Sequence, residues 1–176
     1  MGTTDMYRVC FVCTGNICRS PMAEAVFRDR IAEAGLDGLV EVSSAGTGSW
    51  HLGEDADPRT AATLADAGYG PLSHRARQFA PDWFAREDLV VALDEGHAAE
   101  LRAMARNSGE AAKVRLLRSY DPAADPDDPA GMEVPDPYYG GTRGFEVCLE
   151  MVEAAVPGLL DAVTAALDTD LDGARG

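Results

Sequence analysis

The sequence is short of positive charge and of long hydrophobic runs, and each shortage excludes a class of protein. Its 176 residues carry 15 Lys and Arg against 30 Asp and Glu, which gives a formal net charge of −15. This balance argues against a nucleic-acid partner, because binding to a phosphate backbone requires a basic face. No segment approaches the roughly 20 consecutive apolar residues of a membrane helix, so we expect no membrane partner either.

The cysteine count is also low. The four cysteines, Cys10, Cys13, Cys18 and Cys148, are too few and too clustered for the disulfide scaffold of a secreted protein. No fourth ligand lies at zinc-finger spacing from the first three, so we predict neither a metal site nor a cofactor. The N-terminal residues lack the basic start and apolar stretch of a signal peptide. We therefore expect a cytoplasmic monomer, and export that needs no signal peptide stays open.

Four apolar segments alternate with helical patterns, which predicts an α/β fold: a single domain with an open sheet of four parallel strands and helices on both faces. The predicted strands are Tyr7–Val12, Val40–Ser44, Leu89–Leu93 and Val114–Leu117. The predicted helices are Pro21–Ala34, Pro58–Ala67, Gly96–Arg106 and Gly144–Leu167, the last with a kink or break at Pro157. We expect a domain core over about residues 7–167 and a disordered tail over residues 168–176.

The most informative segment, CTGNICRS at residues 13–20, joins the first predicted strand to the first predicted helix. A helix N-terminus presents free N–H groups and partial positive charge, so this loop is suited to bind an anion. Gly15 and Asn16 tolerate the positive φ angles of a tight loop. Arg19 favours the nucleophilic thiolate of Cys13 and offers a planar fork for two phosphate oxygens, while Ser20 can donate a hydrogen bond to the thiolate. The pattern predicts a phosphate-binding loop with its own nucleophile; the alternative is a buried structural cysteine beside a helix cap.

The same segment carries a family resemblance. Residues 13–24 resemble the signature of low-molecular-weight protein tyrosine phosphatases, and residues 136–140, DPYYG, resemble the acid loop of that family. Residues 44–47, 73–77 and 93–95 also resemble family segments. The match extends from about Tyr7 to the closing helix, and residues 50–51 and 92–94 are most similar to bacterial, actinobacterial members.

The resemblance implies a reaction in two steps. Cys13 attacks phosphorus to form a phosphocysteine, and Asp136 protonates the departing phenolate and then activates the water that releases phosphate. Flanking prolines and two following aromatics set this carboxylate apart from its neighbours Asp121, Asp125, Asp127 and Asp128, and the resemblance settles the choice. The phosphate oxygens would be held by the Arg19 side chain and the amides of Thr14, Gly15, Asn16, Ile17, Cys18 and Arg19. No metal is implied.

The resemblance also implies supporting roles. Ser20, Asn16, Ser44 and His74 would brace the loop through hydrogen bonds. Trp50, Tyr138 and Tyr139 would form the walls of a slot for a phenyl ring, which aromatic faces suit. Cys18 would trap oxidised Cys13 as a reversible disulfide, whereas Cys10 and Cys148 are expected in the core.

Three other functions are compatible with parts of this pattern. Arsenate reductases share the loop but need further redox cysteines, and none lies between Cys18 and Cys148. A non-catalytic phosphotyrosine-binding module should have lost the nucleophile, the arginine or the acid, and all three are present. Protein arginine phosphatases carry threonine at the position of Ile17 and lack the two tyrosines after the acid. We therefore expect a tyrosine-phosphorylated protein as substrate, with phosphoarginine as the alternative.

Overall fold

A four-stranded parallel sheet forms the centre of the fold. The computed structural model describes residues 6–138 and 141–175. The strands are β1 (Tyr7–Cys13), β2 (Val40–Gly46), β3 (Leu89–Ala92) and β4 (Val114–Leu116), and they lie in the order β2-β1-β3-β4. All pairs are parallel, with Cys13 opposite Gly46 at the carboxyl ends of β1 and β2. The predicted α/β class and parallel sheet are confirmed.

Helices cover both faces of this sheet. They are α1 (Arg19–Glu33), α2 (Pro58–Asp66), α3 (Glu95–Met104), the short α4 (Ser108–Ala111) and α5 (Thr142–Arg175), with 3-10 turns at Pro81–Ala85, Leu117–Tyr120 and Pro129–Met132. Side chains alternate along β1: Val9 and Phe11 join the core under α1, α2 and α5. Cys10 and Val12 join the second core under α3 and the 81–85 turn. From Val9 onwards β1 is buried on both faces, and this part of its sequence is accordingly a continuous apolar run.

Two helices differ from their predicted bounds. Helix α1 begins at Arg19 rather than Pro21, because a proline in the first turn needs no N–H partner and does not mark the start. Helix α5 is unbroken at Pro157, since Val156 and Leu159 on either side are buried in the core. It continues to Arg175, past Leu167, where the sequence predicted its end and a disordered tail from Asp168.

The topology brings three connections to one edge of the sheet. The loops after β1, β2 and β4 all leave from carboxyl ends of parallel strands, the edge at which α/β sheets bind ligands. Within residues 6–138 and 141–175, no helix has both the length and the apolar character needed to cross a bilayer.

Candidate active site

The cysteine that ends β1 points into a helix N-terminus. Cys13 is only 3% exposed, and its Sγ lies 2.9 Å from Ser20 Oγ. The N–H of Ser20, in the first turn of α1, donates to the same sulfur at 3.4 Å. A hydroxyl and a first-turn N–H therefore both face Sγ, an arrangement that stabilises negative charge on sulfur.

Asn16 holds the turn of the loop. Its φ is +59°, and it is the one non-glycine residue with positive φ in the described part of the chain. Its side-chain Nδ2 donates to Ser20 Oγ at 2.8 Å and to Ser44 Oγ at 2.9 Å. Its Oδ1 accepts from the N–H of Arg77 at 2.9 Å. The buried side chain of Asn16 thus connects the phosphate loop, strand β2 at Ser44 and the segment that contains Arg77.

Two further contacts extend this network. His74 Nε2 donates to the carbonyl oxygen of Asn16 at 2.6 Å, which places the ring proton on Nε2. Ser44 Oγ donates to Glu24 Oε1 at 2.6 Å. The four residues predicted to brace the loop therefore meet in one network. Glu24 was missed as a member, although it lies in the segment that carried the resemblance.

Three carbonyl oxygens of the phosphate loop accept hydrogen bonds from outside the loop. The carbonyl oxygens of Cys13, Thr14 and Ile17 accept backbone N–H groups from the connection after β2, at 2.8, 3.0 and 2.8 Å; the donors are Thr47, Gly48 and Asp57. This arrangement needs a close approach at Gly46, where a Cβ atom would lie 2.6 Å from the Thr14 oxygen. Only glycine lets the two backbones come this near.

Arg19 is buried, and two acceptors hold the Nη1 end of its guanidinium. Its Nη1 donates to Asp94 Oδ2 and to the carbonyl oxygen of Val134, each at 2.9 Å. Asp94 also caps α3, because its Oδ1 accepts the N–H of His97 at 2.8 Å. Burial works to raise the pKa of Asp94, but the His97 N–H and the charges of His97 and Arg19 outweigh it, so this pKa lies below its usual range.

His97 was not singled out from the sequence. Its Nε2 lies 2.7 Å from Thr14 Oγ1 and 3.4 Å from Arg19 Nη2, so it touches both ends of the phosphate loop. Burial, followed by the charge of Arg19, lowers the pKa of His97 below its ordinary value. A lone histidine on an amphipathic helix gives no sequence signal for such a contact.

The acid loop is tied to Arg19 through its backbone. Val134 donates its N–H to the carbonyl oxygen of Leu93 at 2.9 Å while its own carbonyl accepts from Arg19. This places Asp136 at the mouth of the site, with Oδ2 3.8 Å from Arg19 Nη2. Its Oδ1 accepts the N–H of Tyr138 at 3.0 Å, which fixes the carboxylate in the loop.

An open cleft of about 430 Å³ lies above the loop. Its base is formed by loop residues, and its rim by Trp50, His51, Asp136 and Tyr138. Trp50 is 74% exposed and Tyr138 37% exposed, so both side chains are accessible at the rim. His51, which sequence reasoning did not assign to the slot, lies 6.5 Å from Tyr138 between ring centroids. Tyr139, the third predicted wall, lies outside the described residues.

All four cysteines are free thiols. Cys10 and Cys148 are buried in the core as predicted. Cys18 also is nearly buried, and burial, then the nearby Asp57 charge, raises its pKa to about 12. The described residues contain no group of three or more side chains suited to hold a metal ion.

Comparison with known proteins adds independent information. A family model described as low molecular weight phosphotyrosine protein phosphatase matches residues 8–170. A low molecular weight protein-tyrosine-phosphatase of Streptomyces coelicolor is 69% identical over 157 residues, which cover 89% of this chain and 93% of that protein. The similarity therefore extends over almost the whole domain.

Solved structures show the same fold. A protein tyrosine phosphatase from Entamoeba histolytica matches with a TM-score of 0.84 at 31% identity, over 91% of this chain and 98% of that one. The drosophila arginine phosphatase DARP matches with a TM-score of 0.78 at 29% identity, over 88% and 96%. Fold and loop together define a hydrolase with a cysteine-bearing phosphate loop. The chain belongs to the low molecular weight phosphotyrosine protein phosphatase family.

Proposed function

We propose that this enzyme hydrolyses phosphotyrosine in protein substrates through a phosphocysteine intermediate. The observation that carries the proposal is the convergence of three groups on one cleft: the Cys13 thiol, the Arg19 guanidinium and the Asp136 carboxyl. The 3.8 Å between Arg19 Nη2 and Asp136 Oδ2 leaves the acid beside the group that would hold the phosphate. Each has the chemistry that one role in phosphoryl transfer requires.

In the first step, the Cys13 thiolate donates an electron pair to phosphorus. The P–S bond forms as the P–O bond to the tyrosine breaks, and Asp136 transfers its proton to the departing phenolate oxygen. Arg19 and the N–H groups from Thr14 to Arg19 hold the equatorial oxygens. The outward bonding of three loop carbonyls supports this role, because these carbonyl oxygens are engaged away from the phosphate.

In the second step, water replaces the phenol. Asp136, now ionised, takes a proton from that water as its oxygen attacks phosphorus and the P–S bond breaks. Cys13 leaves as a thiolate, and Ser20 stabilises it with the hydroxyl at 2.9 Å. The products are inorganic phosphate and the regenerated thiolate.

The burial of Cys13 within the cleft favours tyrosine. Cys13 is 3% exposed and lines the same cleft as the much more exposed side chains of Trp50 and Tyr138. A planar phenyl ring would fill the space between rim and nucleophile, whereas the shorter phosphoserine would not reach Sγ. Ile17 in the base lines the cleft with an apolar side chain, which suits a phenyl ring better than a guanidinium. Tyr139 is proposed to complete the slot.

Peptides that differ only in the phosphorylated residue test the substrate. Phosphotyrosine, phosphoarginine and phosphoserine versions of one sequence should be compared by phosphate release at equal concentration. We expect the highest kcat/KM for phosphotyrosine and none measurable for phosphoserine. A clear preference for phosphoarginine would replace the tyrosine assignment by the alternative.

Two substitutions test the mechanism. Cys13→Ser should abolish hydrolysis of p-nitrophenyl phosphate, and full activity would exclude Cys13 as nucleophile. Asp136→Ala should lower kcat by about 10²–10⁴-fold with little change in KM, because the acid acts on the leaving group rather than on binding. A raised KM with normal kcat would point to another acid.

Further properties are part of the proposal. The enzyme is expected to work without a metal, so activity should survive a chelator.

Cys18 is proposed to act after peroxide has oxidised Cys13 to a sulfenic acid. The Cys18 sulfur attacks the Cys13 sulfur, a disulfide forms and water leaves. Reversible inactivation that becomes irreversible in Cys18→Ser would support this step. A cytoplasmic monomer remains the expected form.

A further inference from the structure

A buried histidine on α3 contacts both ends of the phosphate loop. His97 lies in the first turn of α3, and its side chain is 5% exposed. Its Nε2 contacts Thr14 Oγ1 at 2.7 Å and Arg19 Nη2 at 3.4 Å. Thr14 begins the loop and Arg19 ends it, so one ring nitrogen links the two ends.

The neighbours of the ring determine which nitrogen carries the proton. A guanidinium can only donate, so Nε2 facing Arg19 must offer its lone pair. The Thr14 hydroxyl can then donate to the same lone pair. The proton is therefore assigned to Nδ1, which lies 3.2 Å from Asp94 Oδ1 and makes no hydrogen bond within the described part of the chain.

We propose that His97 is a positioning residue that, as a neutral ring protonated on Nδ1, orients Thr14 and Arg19 for phosphate binding. The inference rests on the proposed function of the site and adds a residue to it. A protonated ring would place a donor where an acceptor is needed, and a second cation beside Arg19. The loop would then lose its link, and the guanidinium would be repelled.

The charges around the ring have opposing effects. Arg19 on α1 and burial disfavour the charged ring, whereas Asp94 at the start of α3, Glu100 on the same helix and Asp136 in the acid loop favour it. The balance lowers the pKa of His97 from its ordinary value. The neutral ring is therefore the form present at neutral pH, and the charged form appears only as the solution becomes acidic.

Two substitutions at position 97 separate the effect of the hydrogen-bond acceptor from the effect of side-chain volume. His97→Gln puts an amide oxygen near the position of Nε2, and this acceptor does not titrate. His97→Leu keeps the volume and removes the acceptor. At neutral pH we expect His97→Leu to lose about tenfold in kcat/KM, because buried donors are left without an acceptor, and His97→Gln to retain most activity. Leu101→Ala on the same helix controls for general destabilisation, since Leu101 packs in the second core, away from the loop.

The pH profile is the readout that a merely structural role would not change. The ratio of kcat/KM for His97→Gln to that of the wild type cancels the titration of the substrate. We expect this ratio to rise below neutral pH, as only the wild type becomes protonated at position 97. A flat ratio, or an active His97→Leu, would overturn the proposal.

A spectroscopic test is independent of turnover. The chain has three histidines, so side-chain nitrogen spectra of ¹⁵N-labelled protein are simple, and the signals missing from His97→Gln assign this ring. At pH 7 we expect a neutral ring with the proton on Nδ1. A charged ring or a proton on Nε2 would refute the inference. If the spectrum agrees but the wild type hydrolyses no phosphate ester, the proposed function fails while the assignment of the ring stands.

Discussion

Asn16 offers the sharpest test of how the loop keeps its shape. Its φ of +59° is in the left-handed region, and its buried side chain makes three hydrogen bonds. Asn16→Gly removes those bonds but adopts this backbone conformation without strain. Asn16→Ala removes the same bonds and adds the strain of a Cβ atom. The two variants therefore separate the conformational effect from the hydrogen bonds.

The expected loss of stability follows from what each partner retains. The Arg77 N–H loses its acceptor in a partly buried place, which costs about 2 kcal/mol. Ser20 and Ser44 lose a donor but keep another partner each, so each costs about 0.5–1 kcal/mol. We expect Asn16→Gly to lower the free energy of unfolding by about 3–4 kcal/mol, and Asn16→Ala by about 1 kcal/mol more.

Denaturant unfolding gives the stability, and p-nitrophenyl phosphate gives kcat/KM. Both variants should lose at least about tenfold in kcat/KM, because Ser20, which contacts Cys13, loses one of the hydrogen bonds that orient it. Asn107→Ala is the matched control: it removes the cap of a distant helix, should cost about 1 kcal/mol, and should leave activity unchanged. Wild-type kcat/KM in Asn16→Gly would refute the role of the hydrogen bonds, and equal stability of the two variants would refute the strain.

Two glycines give further predictions. Gly46→Ala would bring a methyl group to 2.6 Å from the Thr14 carbonyl oxygen, so we expect lower thermal stability and a large loss of kcat/KM; Gly38→Ala, with nothing within 4 Å, should change neither. Tolerance of alanine at Gly46 would contradict the close approach. The added methyl group of Gly48→Ala would overlap the indole ring of Trp50, and this exposed side chain can move away. We therefore expect KM for a phosphotyrosine peptide to rise about 2–10-fold while Tm is unchanged, and we expect the same result for Trp50→Ala. An unchanged KM in both would mean that the indole does not contact substrate.

Secondary structure was predictable here because local patterns and tertiary packing agree. The strand at Tyr7–Cys13 is apolar and fully buried from Val9 onwards, so its pattern has no competing interpretation. Helix bounds were less predictable. Proline in the sequence suggested a start at Pro21 and an interruption at Pro157, but Pro21 lies within the first turn of α1, and the packing of α5 overrides the interruption.

The position of the proposed general acid, Asp136, could not be predicted from local sequence patterns. The flanking prolines and the two aromatic residues that follow set Asp136 apart from the other aspartates of its loop, but they assign it no role, and the family resemblance settled the choice. Its position beside Arg19 depends on Val134, whose backbone bonds to Leu93 and to Arg19 across the sheet edge. A loop this long has no local rule that would place such a contact.

By itself, the sequence determined the loop, because a strand, a tight turn and a helix start are set by neighbouring residues. Cys13, Asn16, Arg19 and Ser20 lie within one short segment, and their contacts follow from its turn. Only the tertiary structure decided what holds that segment. His97 reaches Thr14 across 83 positions of sequence, and this contact exists because β3 pairs beside β1 and starts α3 at the same edge. Strand order and register are global properties, and the partners that they bring together have no signal in the local pattern.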